Sequence, residues 1–405
     1  MLSLYLLVSL WRLGWRMIGA SALVLFALNP MTRFVAFGAV FPPPPSDLAD
    51  HLAAPLIDRQ PDPLPDIVIL YLEGTDRRFA DTRYFGDSYA PIRALEPEAL
   101  TFQGVGQIVG TSWSLAGMVA SLCGVPLMPR GFLARNNFDG ISRFMPNLVC
   151  LTDVLADHGY RLEYVVGGDA AFAGIDAFYR THGVETQIDL AAQSALYPSA
   201  EVEAALINWI VDDQLTFDTS RLRHDALLAD PAPYTLIIET IGPHGVPGYL
   251  SRRCTADGQA VMSREQAQVV RCTTEDSLAF IRDIQEAHRV AGRDRPLKII
   301  LMSDHLSHHA DIPDVAPELH LVNTVLMIGG DGAGTINDTP GSMIDVYPTL
   351  LEWLGFAAAP VAGGLGRSLL PGNAETLVMQ HGIPFLDAML VGDARLNRAM
   401  WHGSD

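Results

Sequence analysis

The sequence predicts an α/β fold built on a largely parallel sheet. Three observations lead there. Five apolar runs of strand length recur between residues 66 and 328, without the polar alternation of a half-solvated strand. Helical patterns fill the intervals between them. Three of the runs end in residues able to do chemistry, at the strand ends where open α/β sheets bind ligands.

Composition agrees. The chain has 405 residues, and about half are hydrophobic while only 18% are charged. Disordered chains are poor in apolar residues and rich in charge, so disorder is excluded. The 35 Gly and 27 Pro are spread without period, which excludes collagen-like and low-complexity classes. Forty-six acidic against 27 basic residues give a formal net charge of −19. A nucleic-acid partner needs a basic footprint, and no Lys/Arg stripe is present. Arg77-Arg78, Arg252-Arg253 and Arg293 with Arg295 read as solvated surface. Length alone suggests two to three domains at roughly 150 residues each. No boundary signal appears from 66 to 370, which reads as one large domain.

The N-terminus is apolar. Met1–Trp15 carries only Arg12, Arg16 follows, and residues 17–32 are uncharged before Arg33 and a second apolar run, Phe34–Phe41. The uninterrupted core is short against the ~20 residues of a spanning helix, and Arg16 would extend it by snorkelling. No Ala-x-Ala cleavage site is evident, so residues 1–41 are expected to be an uncleaved anchor rather than a signal peptide. Arg12 and Arg16 stay inside and the rest is exported. The expected location is the inner membrane, with the domain in the periplasm. Pro-rich residues 42–65 read as an extended linker.

The strand-like runs are Asp66–Glu73, Tyr164–Gly167, Tyr234–Glu239, Leu297–Ser303 and Val322–Ile328, read as buried parallel strands. Helical patterns cover Ser114–Leu122, Leu148–His158, Phe172–His182, Glu201–Thr216, Arg264–His288 and Ser342–Leu354. Residues 371–405 are expected to be a tail packing on the domain. The four cysteines permit three pairings, and none lies in a C-x-x-C pattern. Proximity in sequence suggests Cys123 with Cys150 and Cys254 with Cys272, oxidised in an exported protein.

The strand ends offer Glu73-Gly74-Thr75, Glu239-Thr240 leading to His244, and Ser303-Asp304-His305. Asp304 and His305, side by side after an apolar strand, can present an oxygen and a nitrogen to one cation. The run Val109-Gly-Thr-Ser-Trp-Ser-Leu-Ala-Gly-Met-Val-Ala-Ser-Leu-Cys-Gly124 sets three hydroxyls just before a helix of small residues. A helix N-terminus favours phosphate, and a hydroxyl held there beside a metal is an activated nucleophile. The alternative is that Ser114 merely caps the helix.

Together these segments resemble the bacterial phosphoglycerol transferases of the alkaline phosphatase/sulfatase superfamily, which include lipoteichoic acid synthase. The likeness runs over residues 66–370. It rests on Glu73, the GTSWSLAGMVASLCG run, the SDH of 303–305, Phe144-Met-Pro-Asn-Leu-Val-Cys150, Phe172-Ala-Gly174, Gly364-Leu-Gly-Arg-Ser368 and the four cysteines. It implies an alkaline phosphatase-like α/β/α sandwich.

Carried over residue by residue, the resemblance makes Glu73, Asp304 and His305 metal ligands. Superfamily members place the nucleophile in the helix's first turn, ten residues before the small residue that ends it. Counting back from Gly124 gives Ser114, also a metal ligand; Thr111 is the alternative. His244 is implied as a substrate or leaving-group contact, and Trp113 either lines the pocket or belongs to the core. One ion is implied, because Gly74 stands where two-metal members place a second carboxylate. Manganese or magnesium suits the donor set, with zinc as the alternative. The implied reaction moves phosphoglycerol from an anionic phospholipid, phosphatidylglycerol, through a phospho-Ser intermediate to a periplasmic glucan or other glycan. A phosphodiesterase- or phosphatase-type hydrolase and a non-catalytic binding member are the rival readings. Sulfatase chemistry is not expected: the formylglycine motif C/S-x-P-x-R is absent, since Ser114 is followed by Leu115, Ala116, Gly117 and Met118.

Overall fold

Every side chain of strand β1 (Asp66–Leu72) is buried. Ile67, Ile69 and Tyr71 enter one hydrophobic layer, and Val68, Leu70 and Leu72 enter the other. Both faces of the sheet are therefore covered, which is why the run is continuously apolar. The computed structural model describes residues 46–128, 138, 140–308 and 321–402, together with Met17. The anchor expected at 1–41 lies outside the described residues apart from Met17. Among the described residues, no helix is long and apolar enough to cross a membrane.

Seven further strands complete the sheet: β2 (Ala99–Phe102), β3 (Arg161–Val166), β4 (Thr186–Ile188), β5 (Tyr234–Glu239), β6 (Leu297–Ser303), β7 (Val325–Ile328) and β8 (Thr335–Asn337). Their order is β8-β2-β7-β6-β1-β5-β3-β4. From β6 to β4 all pairs are parallel. Strand β7 runs antiparallel to both β6 and β2, and β8 is parallel to β2. The sheet is thus largely parallel, as expected, with one strand reversed. That strand corrects the reading of Val322–Ile328 as parallel. Burial on both faces sets a strand's composition but not its direction. Strands β2, β4 and β8 are short and were not anticipated.

One face is covered by α1 (Ser114–Cys123), α2 (Leu151–Asp157), α3 (Ile175–Thr181) and α6 (Met343–Leu354). The other is covered by α4 (Asp213–Ala229) and α5 (Gln266–Ala291). The result is the expected three-layer α/β/α sandwich. Three helices are shorter than their patterns suggest, α2 among them, since it starts at Leu151 rather than Leu148. The run Glu201–Thr216 is not one helix: its first part belongs to a helix over Ser199–Ala205 and its last residues to α4. A tight hairpin, Leu206–Ile207 with Ile210–Val211, then intervenes, because Asn208 takes a left-handed conformation. Helix α4 starts afresh behind it, with Asp212 accepting from Leu215 N at 3.0 Å. In Phe172–His182, positive φ at Ala173 and Gly174 delays α3 to Ile175.

Residues 48–51, within the stretch read as a linker, form a helical turn whose Leu48 is fully buried. Near the C-terminus, α7 (Ile383–Gly392) and α8 (Ala394–His402) bury Leu386, Leu390, Leu396 and Met400 in the same layer as α1. Both suggested disulfides are present, Cys123–Cys150 and Cys254–Cys272. The first ties the end of α1 to the start of α2.

Candidate active site

Strands β6, β1 and β5 are adjacent, and their carboxyl ends carry Asp304, Glu73 and Glu239. The backbone there is held by side chains: Glu73 N donates to Thr240 Oγ1 at 3.1 Å, and Gly74 N to Asp304 Oδ1 at 2.9 Å. Arg78 and Asp76, both buried, lock the following loop. Ser307 N donates to Asp76 Oδ2 at 2.8 Å and Arg78 donates to the Ser307 carbonyl at 2.9 Å.

Helix α1 arrives at this edge end-on. Its glycine at 117 is required by close approach, since a Cβ there would lie 1.8 Å from the Asp304 carbonyl oxygen. The N-cap position belongs to Trp113, so Ser114 is the first helical residue. Its hydroxyl does not cap the helix; it donates to Glu73 Oε2 at 3.0 Å. The first N–H groups of α1 have no intrahelical acceptor and point toward the same place. Thr111 is placed differently. It is fully buried, with its hydroxyl donating to the Ile108 carbonyl at 2.8 Å.

Glu73, Asp304 and His305 are all buried, and one ligand atom from each lies within 4.8 Å of the others. His305 Nε2 stands 3.2 Å from both Glu73 Oε1 and Asp304 Oδ2. Its Nδ1 donates to the Leu306 carbonyl at 2.8 Å, which leaves Nε2 as the coordinating nitrogen. Asp304 Oδ2 is buried without a hydrogen bond. An orphaned carboxylate oxygen, an oriented imidazole and a second carboxylate make a donor set that fits one divalent cation.

The electrostatics describe the metal-free cluster. Burial opposes charge on His305, yet Asp304 and Glu73 outweigh it and push its pKa up to about 10. Burial raises the Glu73 pKa, but His305 and His244 more than offset this and hold it well below the usual range. Asp304 goes the other way, raised by burial and then by the Glu73 charge. His244 Nδ1 lies 3.2 Å from Glu73 Oε1, and that contact raises its pKa.

A cavity of about 190 Å³ opens over the cluster. Ser114, Trp113 and His244 line it, as the sequence suggested, and Thr111 does not. Among the lining residues given no site role from sequence are Glu239, His308, Phe172 and Trp209. The His308 ring is 4.5 Å from that of His305, and Phe172 stacks on Trp209 at 5.7 Å. Glu239 had a signal in its place at a strand end, and Phe172 in the Phe172-Ala-Gly174 segment of the resemblance. Trp209 sits on the hairpin that interrupts a helical pattern, and nothing in the spacing brings His308 back over the site.

The sulfatase family model matches residues 65–356. Phosphoglycerol transferase I of Xanthomonas euvesicatoria pv. vesicatoria (strain 85-10) is 30% identical over 312 residues, covering 76% of this chain and 43% of that protein. Its namesake in Escherichia coli (strain 55989 / EAEC) is 30% identical over 327 residues, with 78% and 40% covered. The chain therefore spans about two fifths of the length of these curated relatives. Among solved structures, an alkaline phosphatase superfamily protein from Vibrio parahaemolyticus superposes with a TM-score of 0.57 at 19% identity. The match covers 77% of this chain and 71% of that one. A lipoteichoic acid synthase from Listeria monocytogenes gives 0.56 at 14% identity, covering 80% and 78%. Both likenesses concern the fold.

Proposed function

The chain belongs to the sulfatase family, and from that premise we propose that it transfers phosphoglycerol from phosphatidylglycerol to a glycan hydroxyl, acting at the outer face of the inner membrane. The observation that carries the reading is Ser114 Oγ, at the first turn of α1 and 3.0 Å from Glu73, beside a buried cluster of cation-ligand geometry. The name shared by the curated relatives supports phosphoglycerol as the group moved. Sulfate ester cleavage is not proposed, because the residues after Ser114 lack the formylglycine motif.

Glu73, Asp304, His305 and Ser114 would hold one ion, manganese or magnesium in preference to zinc. An ion bound there would lower the pKa of the serine hydroxyl and offset charge on the phosphate oxygens. The Ser114 oxygen, its proton given up to solvent, attacks phosphorus, and the ester bond to diacylglycerol breaks. His244, with Nδ1 3.2 Å from Glu73 Oε1, is placed to give a proton to the departing oxygen. Phosphoglycerol then rests on Ser114 with its oxygens at the free N–H groups of α1. A glycan hydroxyl attacks in turn, gives its proton to His244 and frees the serine as its alkoxide.

The test incubates purified protein with phosphatidylglycerol, with and without glucan, and follows diacylglycerol and phosphoglycerylated product. Transfer requires both to appear together. Glycerol phosphate released into water, with none on glucan, identifies a hydrolase instead.

A further inference from the structure

The cluster accounts for two of the three carboxyl groups at the strand ends and leaves Glu239 without a role. Its side chain is 4% exposed and lies outside the group of three that could share an ion. It nonetheless lines the same cavity as Ser114 and His244. Burying a carboxyl group is costly unless hydrogen bonds compensate, so its partners matter. Tyr164 O–H donates to Glu239 Oε2. Among the described residues no hydrogen bond reaches Oε1. The neighbouring tyrosines are occupied elsewhere: Tyr71 OH pairs with Ser121 Oγ at 2.8 Å, and Tyr179 OH with Met118 Sδ at 3.4 Å. The free side of the carboxyl group therefore faces the cavity.

We propose that Glu239, seated on Tyr164, binds the hydroxyls of the glycerol head group that remains on Ser114, and so selects the donor. The inference rests on the phosphoglycerol reading above. Size supports it. A cavity of about 190 Å³ admits a glycerol unit but not two acyl chains, which must stay outside at the Phe172–Trp209 rim. Burial, partly opposed by the Tyr164 hydrogen bond, favours the neutral acid at position 239. A neutral carboxyl group both donates and accepts, as a diol requires; an ammonium head group would call for a carboxylate.

Calorimetric titration of the full-length protein with glycerol 1-phosphate and with n-propyl phosphate tests this without relying on turnover. A site built to hydrogen-bond hydroxyls rejects an analogue lacking them, so the native protein should prefer glycerol phosphate by about tenfold or more. Glu239→Leu should bring the ratio close to one, and Glu239→Gln, neutral and nearly isosteric, should keep most of it. Should the Leu variant not fold, Tyr164→Phe must still reduce the ratio. No preference in the native protein, an unchanged ratio in Glu239→Leu or Tyr164→Phe, or loss of bound metal in Glu239→Gln would overturn the proposal. Diacylglycerol release from phosphatidylglycerol is scored separately. A preference without release sinks the transfer reading and leaves the head-group site standing; release without a preference does the reverse.

Discussion

Thr111 and Ser114 differ in what their hydroxyls are already bonded to. Thr111 is committed to its own turn through Ile108, and Ser114 to Glu73. Ser114→Ala should therefore lower the rate of diacylglycerol release by about 10³-fold or more, the scale of losing a nucleophile. Ser114→Thr should remain active, because it supplies the same oxygen. Thr111→Ala should stay within about tenfold and lose about 1 kcal/mol of stability with its hydrogen bond. Mass spectrometry of the trapped adduct is the check, and phosphoglycerol found on Thr111 would sink the assignment. Position 114 was singled out by the resemblance, which counts ten residues back from Gly124; the helix start alone left Ser114 as a cap. Their place at the ends of apolar runs drew notice to Glu73, Asp304 and His305, and the resemblance made them a ligand set. His308 and Trp209 were not legible, since loop and hairpin geometry, invisible to periodicity, carries them to the cavity.

At the scale of elements, the approach of α1 to the strand ends sets the site's dimensions. Propensity alone predicts that Gly117→Ala would stabilise the helix by about 1 kcal/mol. The added Cβ would meet the Asp304 carbonyl at 1.8 Å, and overpacking of that kind costs about 1–3 kcal/mol or more. The clash wins. The variant should melt lower and bind metal more weakly, because either α1 or Asp304 must move; an unchanged melt and unchanged metal affinity would contradict this packing. The Cys123–Cys150 link acts at the other end of the same helix. It closes a sequence separation of 27 residues, worth about 3–4 kcal/mol in a chain-entropy account. Cys123→Ser with Cys150→Ser should lower the denaturation midpoint correspondingly, read by chemical unfolding under oxidising conditions. Strands buried on both faces and long helices were readable from pattern. The reversal of β7 and the hairpin at 206–211 were not, because direction and a single left-handed Asn leave apolar periodicity untouched.

Over the whole molecule, buried carboxyl groups and net charge push stability in the same direction. Burial raises Asp213, Asp304 and Asp345 each to about 7 and Asp276 to about 6. Their unfolded values lie near 4. Between those limits the folded chain holds more protons than the unfolded one, so stability is greatest at the acidic end and falls as pH rises toward 7. His305, raised to about 10, adds to the same trend above neutrality. Repulsion within a chain of net charge −19 also grows as those carboxyls ionise. Glu73, held low, takes over only in stronger acid, where its contribution is lost as pH falls. The metal-free protein should thus melt higher at pH 5 than at pH 8, by about 5 °C or more for a domain of this size. A divalent cation reverses the balance at one place. It binds ionised Asp304 and neutral His305, and at pH 5 protons compete for both. Manganese or magnesium should therefore raise the melting temperature more at pH 8 than at pH 5. Melts in chelator and in added cation at the two pH values decide it. A metal-free protein that is more stable at pH 8 would contradict the stability trend drawn from the buried carboxyls, and a cation effect larger at pH 5 would show that Asp304 and His305 do not form the ion site.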